Sequence, residues 1–273
     1  MLPASILHIA LPQAQLGFLF DSSIFHLPTD PAAYVQILLR WLHFLAGIVW
    51  IGHLYFFNLV NVNLMKALDG PTKGKVIPQL MPRALWWFRW GALITVLVGL
   101  IYYAMYMLAT DAKNPANVSA NGRNVWLILI VWLLIPTIIF AIEMAILKKV
   151  NNGWVLAIIV GILVTIMAIV IICWLASSLP MVVTTSTFVI GIGGALGLMM
   201  LFNVWGIIWP NQKRIISWTA DNAENGTAIP AESAKLARVA FLASRTNTWL
   251  SVPMLFLMGA SAHFSGFLGI NKL

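Results

Sequence analysis

Two histidines and an arginine lie in or beside stretches of this sequence that are apolar enough to cross a lipid bilayer. Arg40 and His43 fall in the run LLRWLHFLAGIVWIGHLYFFNLV, residues 38–60, and His263 closes a second apolar run that starts near residue 249. A charge or an imidazole in hydrocarbon costs about 2.5–3.5 kcal/mol even on lenient insertion scales, so such residues usually face a protein interior, a cavity or a ligand. Because neutral imidazole is a good iron ligand, these residues are candidates for a cofactor site.

His43 and His263 are predicted to lie at similar depth, in the outer half of the membrane. His43 is about ten residues, or ~15 Å, into a helix that runs inward, and His263 is near the outer end of a helix that runs outward. Two imidazoles at one level on different helices predict bis-histidine ligation of a b-type haem. Arg40 is three residues before His43 on the same face, where it could pair with a haem propionate. The alternative is that each histidine is a buried group with a backbone or hydroxyl partner.

His53 lies ten residues beyond His43 on the same predicted helix. At 100° and 1.5 Å per residue it points about 80° away and sits ~15 Å deeper, so it cannot share a metal with His43 without a kink. His53 could ligate a second, deeper haem iron. A structural hydrogen bond is the alternative role.

The fifth predicted helix carries a glycine cluster, Gly191, Gly193, Gly194 and Gly197. It is not a dinucleotide-binding loop, because no strand precedes it and it lies inside a span. The spacing of Gly193 and Gly197 predicts a small-residue face that lets a neighbouring helix, or a flat macrocycle, approach closely.

Other chemistry is sparse. Glu143, near the inner end of the third predicted helix, is either a proton-relay acid or a partner of Lys148 and Lys149. Nothing resembles a nucleophile–base pair, a zinc site or a phosphate-binding loop, so no catalytic residue is predicted. The one cysteine, Cys173, excludes intrachain disulfides and cysteine metal clusters.

The elements that position these residues are predicted to be membrane-spanning helices. The sequence is 61% hydrophobic and 9% charged, whereas soluble domains are roughly 25% charged. We predict an all-α integral membrane protein with an interfacial N-terminal segment, residues 1–32, and a transmembrane domain, residues 33–273. The domain includes a cytoplasmic loop, residues 210–245, whose second half has a helical pattern starting at Pro230 and predicts a short surface helix. The six predicted spans are 33–62, 84–109, 124–147, 154–177, 182–209 and 249–270.

The basic residues predict the topology. The net charge of +8 comes from short loops between apolar runs, which the positive-inside rule explains better than nucleic-acid binding does. Most of the 16 basic residues fall on one predicted side, which places both termini outside the cytoplasm. This set comprises Lys66, Lys73, Lys75, Arg83, Arg89, Lys148, Lys149, Lys213, Arg214, Lys235, Arg238 and Arg245.

Four segments resemble the membrane domain of the bacterial membrane-bound urate oxidase (urate hydroxylase) family. They are LLRWLHFLAGIVWIG, PRALWWFRWGA, MMLFNVWGIIWPNQKRII and LSVPMLFLMGASAH, in this order over residues 35–265. Family members usually continue into an outer-side cytochrome c domain. The resemblance implies a haem-associated domain that exchanges electrons with an outer c-type haem. It also implies histidines early in helix five and before helix six, where this sequence has the Gly191 region and Thr246–Asn247.

The sequence has no CxxCH motif, so an outer cytochrome is expected as a separate partner. Our leading hypothesis is a subunit of a redox or respiratory complex in the bacterial inner membrane. It would bind haem b between His43 and His263, beside other membrane subunits. The alternative is a redox-inactive structural subunit descended from the haem domain. A transporter is disfavoured, because the helices hold few ionisable residues and no pair of broken half-helices.

Overall fold

The computed structural model describes residues 28–150, 152–264 and 268–272. Within these ranges the chain is almost entirely helical, and its only strands form a short antiparallel pair. The elements in chain order are α1 Pro31–Tyr55, π1 Phe56–Asn61, α2 Val62–Ala67, α3 Gly70–Tyr102, π2 Tyr103–Leu108, α4 Ala109–Ala112, α5 Pro115–Ser119, α6 Val125–Leu147, α7 Gly153–Ser178, β1 Val182–Val183, α8 Thr185–Asn203, π3 Val204–Ile208, α9 Trp209–Asn225, α10 Glu232–His263 and β2 Ile270–Asn271.

Five helical stretches of the described residues are long and apolar enough to cross a membrane, so the chain is a multi-pass membrane protein. They are Pro31–Ala67, Gly70–Ala112, Val125–Leu147, Gly153–Ser178 and Thr185–Asn225. The sixth predicted span, 249–270, falls largely within α10, which is not among these five. It ends at His263 rather than at residue 270.

Two segments that the sequence analysis assigned to loops are helical. The predicted loop 210–245 consists of α9 and the first half of α10, separated by residues 226–231. Gly226 ends α9 with a φ of 72°, a left-handed conformation that glycine adopts without strain. The second helix begins at Gly70, not at residue 84. Both stretches are too polar to read as spans, yet a polar helix at a membrane surface needs only one apolar face.

The start of α3 shows why that helix begins early. The Asp69 carboxylate accepts a hydrogen bond from the backbone amide of Thr72 at 3.2 Å, and Pro71 occupies the first turn. Both are features of a helix N-terminus. The hydrogen bonds from Thr72 hold the pKa of Asp69, which is exposed, below its usual value.

The chain divides into two compact units, residues 1–38 and 39–273. In the first, the described residues begin at 28, so most of the predicted interfacial segment 1–32 lies outside them. Asp30 accepts a hydrogen bond from the backbone amide of Ala32 at 2.9 Å, next to the start of α1. The second unit contains every candidate site residue.

Helix α8 lies inside the bundle of the second unit. In the Thr185–Asn225 stretch, 83% of an 18-residue apolar segment is buried by the rest of the protein. In the other four stretches, at most 33% of the corresponding segment is buried. Helix α7 shows the opposite pattern, with Ile158, Ile162 and Ile166 exposed on one face. Since hydrocarbon surrounds the outer helices, exposed isoleucines are expected there, and the small residues of α8 are what allow its neighbours to pack around it.

A polar network fixes one end of the bundle. Asp111 is 3% exposed, and its Oδ2 accepts hydrogen bonds from the amide and the hydroxyl of Thr184 at 2.8 and 3.0 Å. Asn117 is fully buried, donates to the Val182 carbonyl and accepts from the Val182 amide. β1 then pairs with β2. These bonds satisfy a buried carboxylate without a cation.

Candidate functional site

His43 lies where α1 crosses α3. Its Nδ1 is 2.8 Å from the carbonyl oxygen of Thr95. Because a carbonyl only accepts, Nδ1 carries the hydrogen, and in the neutral ring Nε2 keeps a free lone pair. This is the arrangement found in metal-binding histidines, whose second nitrogen donates to a carbonyl or carboxylate.

Glycine residues make room for this contact. A Cβ added to Gly99 would lie 2.8 Å from both Cε1 and Nδ1 of His43, which is closer than real Cβ contacts come. A Cβ on Gly91 would lie 3.2 Å from the backbone nitrogen of Trp50. The two helices therefore approach closely through their small residues, and the His43 ring fills the space over Gly99.

The contacts along this crossing follow a regular antiparallel register. Arg40 meets Tyr102, with its guanidinium carbon 5.9 Å from the ring centre, and His43 meets Gly99 three residues away. The Arg40 side chain is exposed, whereas His43 is half-buried. One edge of the α1–α3 pair thus presents a cation beside an imidazole.

His263 is the last residue of α10 and is exposed. In the described part of the chain, no hydrogen bond or ring contact joins it to His43. The bis-histidine pairing therefore stays a prediction. The His43 ring is held by α3 through Thr95, whereas His263 is exposed at the end of α10.

His53 forms a hydrogen bond within its own helix. Its Nδ1 lies 2.7 Å from the carbonyl oxygen of Val49, one turn earlier, and its ring lies 6.5 Å from that of Phe57. The local bond fixes the same tautomer as in His43, but among the described residues no other helix donates or accepts a hydrogen bond at this ring. This geometry matches the structural role that the sequence analysis left open.

Gly193 and Gly197 face α10. A Cβ on Gly193 would lie 3.1 Å from the Cβ of Leu257 and 3.6 Å from the carbonyl oxygen of Met254. A Cβ on Gly197 would lie 3.6 Å from the sulfur of Met254. This face packs against α10 and leaves no gap for a flat macrocycle. Helix packing therefore accounts for the four-residue spacing of the two glycines.

The Gly191 region, where the resemblance implies a histidine, is filled by two aromatic side chains. Trp132 Nε1 donates to the Gly191 carbonyl at 2.8 Å, and the Tyr103 hydroxyl donates to the Thr187 carbonyl at 3.3 Å. A Cβ on Gly191 would come within 2.9 Å of that hydroxyl. This part of the bundle is therefore closed by protein.

A second polar group, which the sequence analysis did not assemble, joins three helices. Glu143 of α6, Asn203 of α8 and Asn247 of α10 are all fully buried. Asn203 Nδ2 donates to Glu143 Oε1 at 3.0 Å and to Asn247 Oδ1 at 2.9 Å. Glu143 thus pairs with an amide and not with Lys148 or Lys149. The available signal was the presence of asparagines inside apolar runs, since polar groups there need partners.

Arg89 stacks on tryptophan. Its guanidinium carbon lies 3.7 Å from the ring centre of Trp209, and Trp205 Nε1 donates to the Arg89 carbonyl at 3.1 Å. The sequence analysis counted this arginine only among the basic residues of one predicted side. Stacking on an indole is a further favourable use of a guanidinium.

A basic cleft opens between α2, α3 and α10. Its volume is about 560 Å³, and its charged residues are Lys66, Lys73 and Arg245. The same cleft is lined by Asn61 and Phe241 but by no histidine. Its chemistry suits an anionic group and not an iron ligand set.

Comparison with known proteins identifies the family. The chain matches the family model described as urate oxidase N-terminal over residues 68–272 of 273, which is more than half of its length. No curated protein and no solved structure matches it significantly. The match includes Glu143, Asn203 and His263 but begins after α2, so the first-helix motif with His43 lies outside it. The resemblance seen in the sequence is confirmed, and the chain belongs to the urate oxidase N-terminal family.

Proposed function

We propose that this chain is a haem-binding electron-transfer subunit, with His43 as an axial ligand of one b-type haem. The observation that supports this is the hydrogen bond from His43 Nδ1 to the Thr95 carbonyl, which leaves Nε2 as the ligand atom. The haem would supply a one-electron redox centre, and the protein would orient it and tune its potential.

Two further residues complete the proposed site. Arg40, exposed three residues before His43, offers a guanidinium to a haem propionate. His263, exposed at the end of α10, is the proposed second axial ligand. The proposed setting is a bacterial inner membrane with both termini outside. There an outer c-type cytochrome and other membrane subunits would be the redox partners.

The test is a dithionite-reduced minus oxidised spectrum of the detergent-purified chain, with a pyridine haemochrome count. We expect one b-type haem per chain, lost in His43→Ala and in His263→Ala. His53→Ala is the matched control, because it removes an imidazole of the same tautomer from the same helix. A folded wild-type preparation without a Soret band contradicts the proposal.

A second candidate is a redox-inactive subunit that stabilises a membrane complex. The observation in its favour is the closed region around Gly191, occupied by Tyr103 and Trp132. On this alternative, His43→Ala and His263→Ala leave the complex intact and active. Gly193→Leu, which would collide with Leu257 of α10, would instead prevent assembly. Co-purification of the partner subunits with each variant separates the two candidates.

A further inference from the structure

Glu143 has one satisfied and one unsatisfied oxygen. Its side chain is 0% exposed on α6. Oε1 accepts the hydrogen bond from Asn203, whereas Oε2 is buried and has no partner. An ionised carboxylate whose second oxygen has no donor from the protein is strongly disfavoured inside the membrane, because no protein group offsets its loss of solvation.

Asn203 has a matching defect. Its Nδ2 makes both of the hydrogen bonds described above, while its Oδ1 is buried without a partner. The orientation of the amide follows from its neighbours. The Met200 carbonyl accepts from Asn247 Nδ2 at 2.9 Å, so Asn247 must present its oxygen to Asn203, which must answer with its nitrogen. The free atom of Asn203 is therefore an acceptor.

A single proton, placed between Glu143 Oε2 and Asn203 Oδ1, would satisfy both defects. A carboxylic acid and a primary amide can form a closed ring in which the amide N–H donates to one carboxyl oxygen and the acid O–H donates to the amide oxygen. The first of these bonds is present, and the two unpartnered atoms are the two that the second would join. We propose that Glu143 is a proton-binding residue, held as a neutral acid by Asn203, with the proton on Oε2.

A metal ion fits the same atoms less well. Hard cations in proteins take about six oxygen ligands, whereas Glu143 Oε2 and Asn203 Oδ1 are the only two atoms of this group left unpartnered. Nor does the described part of the chain hold any group of three histidine, cysteine or acidic side chains suited to a metal.

No charged side chain in the described structure forms an ion pair with Glu143. α8 and π3 carry no titratable residue, and α7 carries only Cys173, which is exposed. Arg245 of α10 lies over Phe241 and lines the basic cleft. The other titratable residues of the elements that pack on α6, and of its own end, are Tyr103, Tyr106, Lys148, Lys149, Glu232, Lys235, Arg238 and His263.

Through Asn203, the acid connects to Asn247 in the middle of a row of polar side chains. Ser244, Asn247 and Ser251 share one face of α10, at spacings of three and four residues. Ser244 accepts from Asn58 at 2.8 Å, and Ser251 lies 3.0 Å from the Tyr55 hydroxyl. The row extends the polar interior of the bundle from Glu143 to Asn58 of π1. The proposed proton binding by Glu143 does not depend on haem binding.

Infrared spectroscopy tests the proposal directly. The wild-type chain in lipid nanodiscs at neutral pH should show the carbonyl band of a protonated carboxylic acid, and this band should be lost in Glu143→Gln. That variant is well matched, because a glutamine amide can make both hydrogen bonds of the ring. Asp111→Asn is the control, since it replaces a second buried acid, one that accepts two hydrogen bonds from Thr184, and should leave the band in place.

Replacing Asn203 tests the proposal independently of the Glu143 variant. Asn203→Leu leaves the acid without its ring, so its carbonyl band should move to higher frequency, as expected for an acid O–H that has lost its acceptor. A wild-type spectrum without any acid band at neutral pH overturns the proposal whatever the variants do. An acid band that persists in Glu143→Gln, or that is unmoved in Asn203→Leu, overturns it as well.

Discussion

Gly99→Ala is the substitution that most directly tests the environment of His43. The new Cβ would lie 2.8 Å from Cε1 and from Nδ1 of the His43 ring. Backbone cannot easily yield, because α1 and α3 already touch at Gly91 and Trp50. The ring must therefore move, and its hydrogen bond to Thr95 is lost.

The magnitude follows from three terms. Adding a methyl group to a packed contact costs about 1–3 kcal/mol, and the lost hydrogen bond about 1 kcal/mol net. Alanine recovers about 0.4–1 kcal/mol by restricting the unfolded chain. The expected net loss is about 1–3.5 kcal/mol in the free energy of unfolding. At ~2–4 °C per kcal/mol for chains of this order of size, Tm falls by several degrees.

The assay is thermal unfolding in detergent, together with ¹⁵N NMR of histidine-labelled protein to read the Nδ1–H tautomer of His43. Gly161→Ala on α7 is the matched control, because no atom lies within 4 Å of its new Cβ. It should leave Tm unchanged or raise it. The reasoning is refuted if Gly99→Ala shows the same Tm as Gly161→Ala and an unaltered His43 resonance.

Two further predictions concern other parts of the molecule. Trp132→Phe should lower the free energy of unfolding by about 1–3 kcal/mol, because the buried Gly191 carbonyl loses its donor. In chemical denaturation the exposed Trp126→Phe, on the same helix, should stay within about 0.5 kcal/mol of wild type, and equal effects would argue against the bond. Asp69→Asn should weaken the dependence of Tm on pH in the acid range. The folded state lowers the pKa of Asp69, so its contribution is present above the ordinary carboxyl pKa and is lost as pH falls through the folded value. Parallel Tm-versus-pH curves for wild type and Asp69→Asn would contradict this prediction.

The apolar spans were predictable because hydrocarbon imposes a simple rule of length and composition. Residues 124–147 and 154–177 were predicted within a residue or so of α6 and α7. Polar helices obey no such rule. The start of α3 was assigned to a loop, and the start of α10 was predicted only as a short surface helix, because the stability of such helices comes from packing and from caps such as Asp69. Each π-helical segment also shifts the turn by one residue, so a periodicity of 3.6 fails across π1, π2 and π3.

The candidate site was predictable only in its residue types. An imidazole in a span signals a partner, but the partners of His43 are the carbonyl of Thr95 and the missing Cβ of Gly99. No side-chain pattern encodes either of them. Glu143 was recognised as one of two alternatives, and its pairing with Asn203 depends on how α6 and α8 pack. Long-range helix contacts are what the sequence alone could not supply.

The enclosure of α8 has a consequence for biogenesis. Membrane helices insert first and associate afterwards, so α8 must spend time in lipid with its glycine face and Asn203 uncovered. That state is costly until α8 packs against α6 and the later helix α10 covers Asn203 and Gly193. A nascent chain that stalls before α10 is complete would therefore expose to lipid the amide and the small residues that the full chain buries. The lifetime of such fragments in the cell should be set by α8 more than by any lipid-facing helix.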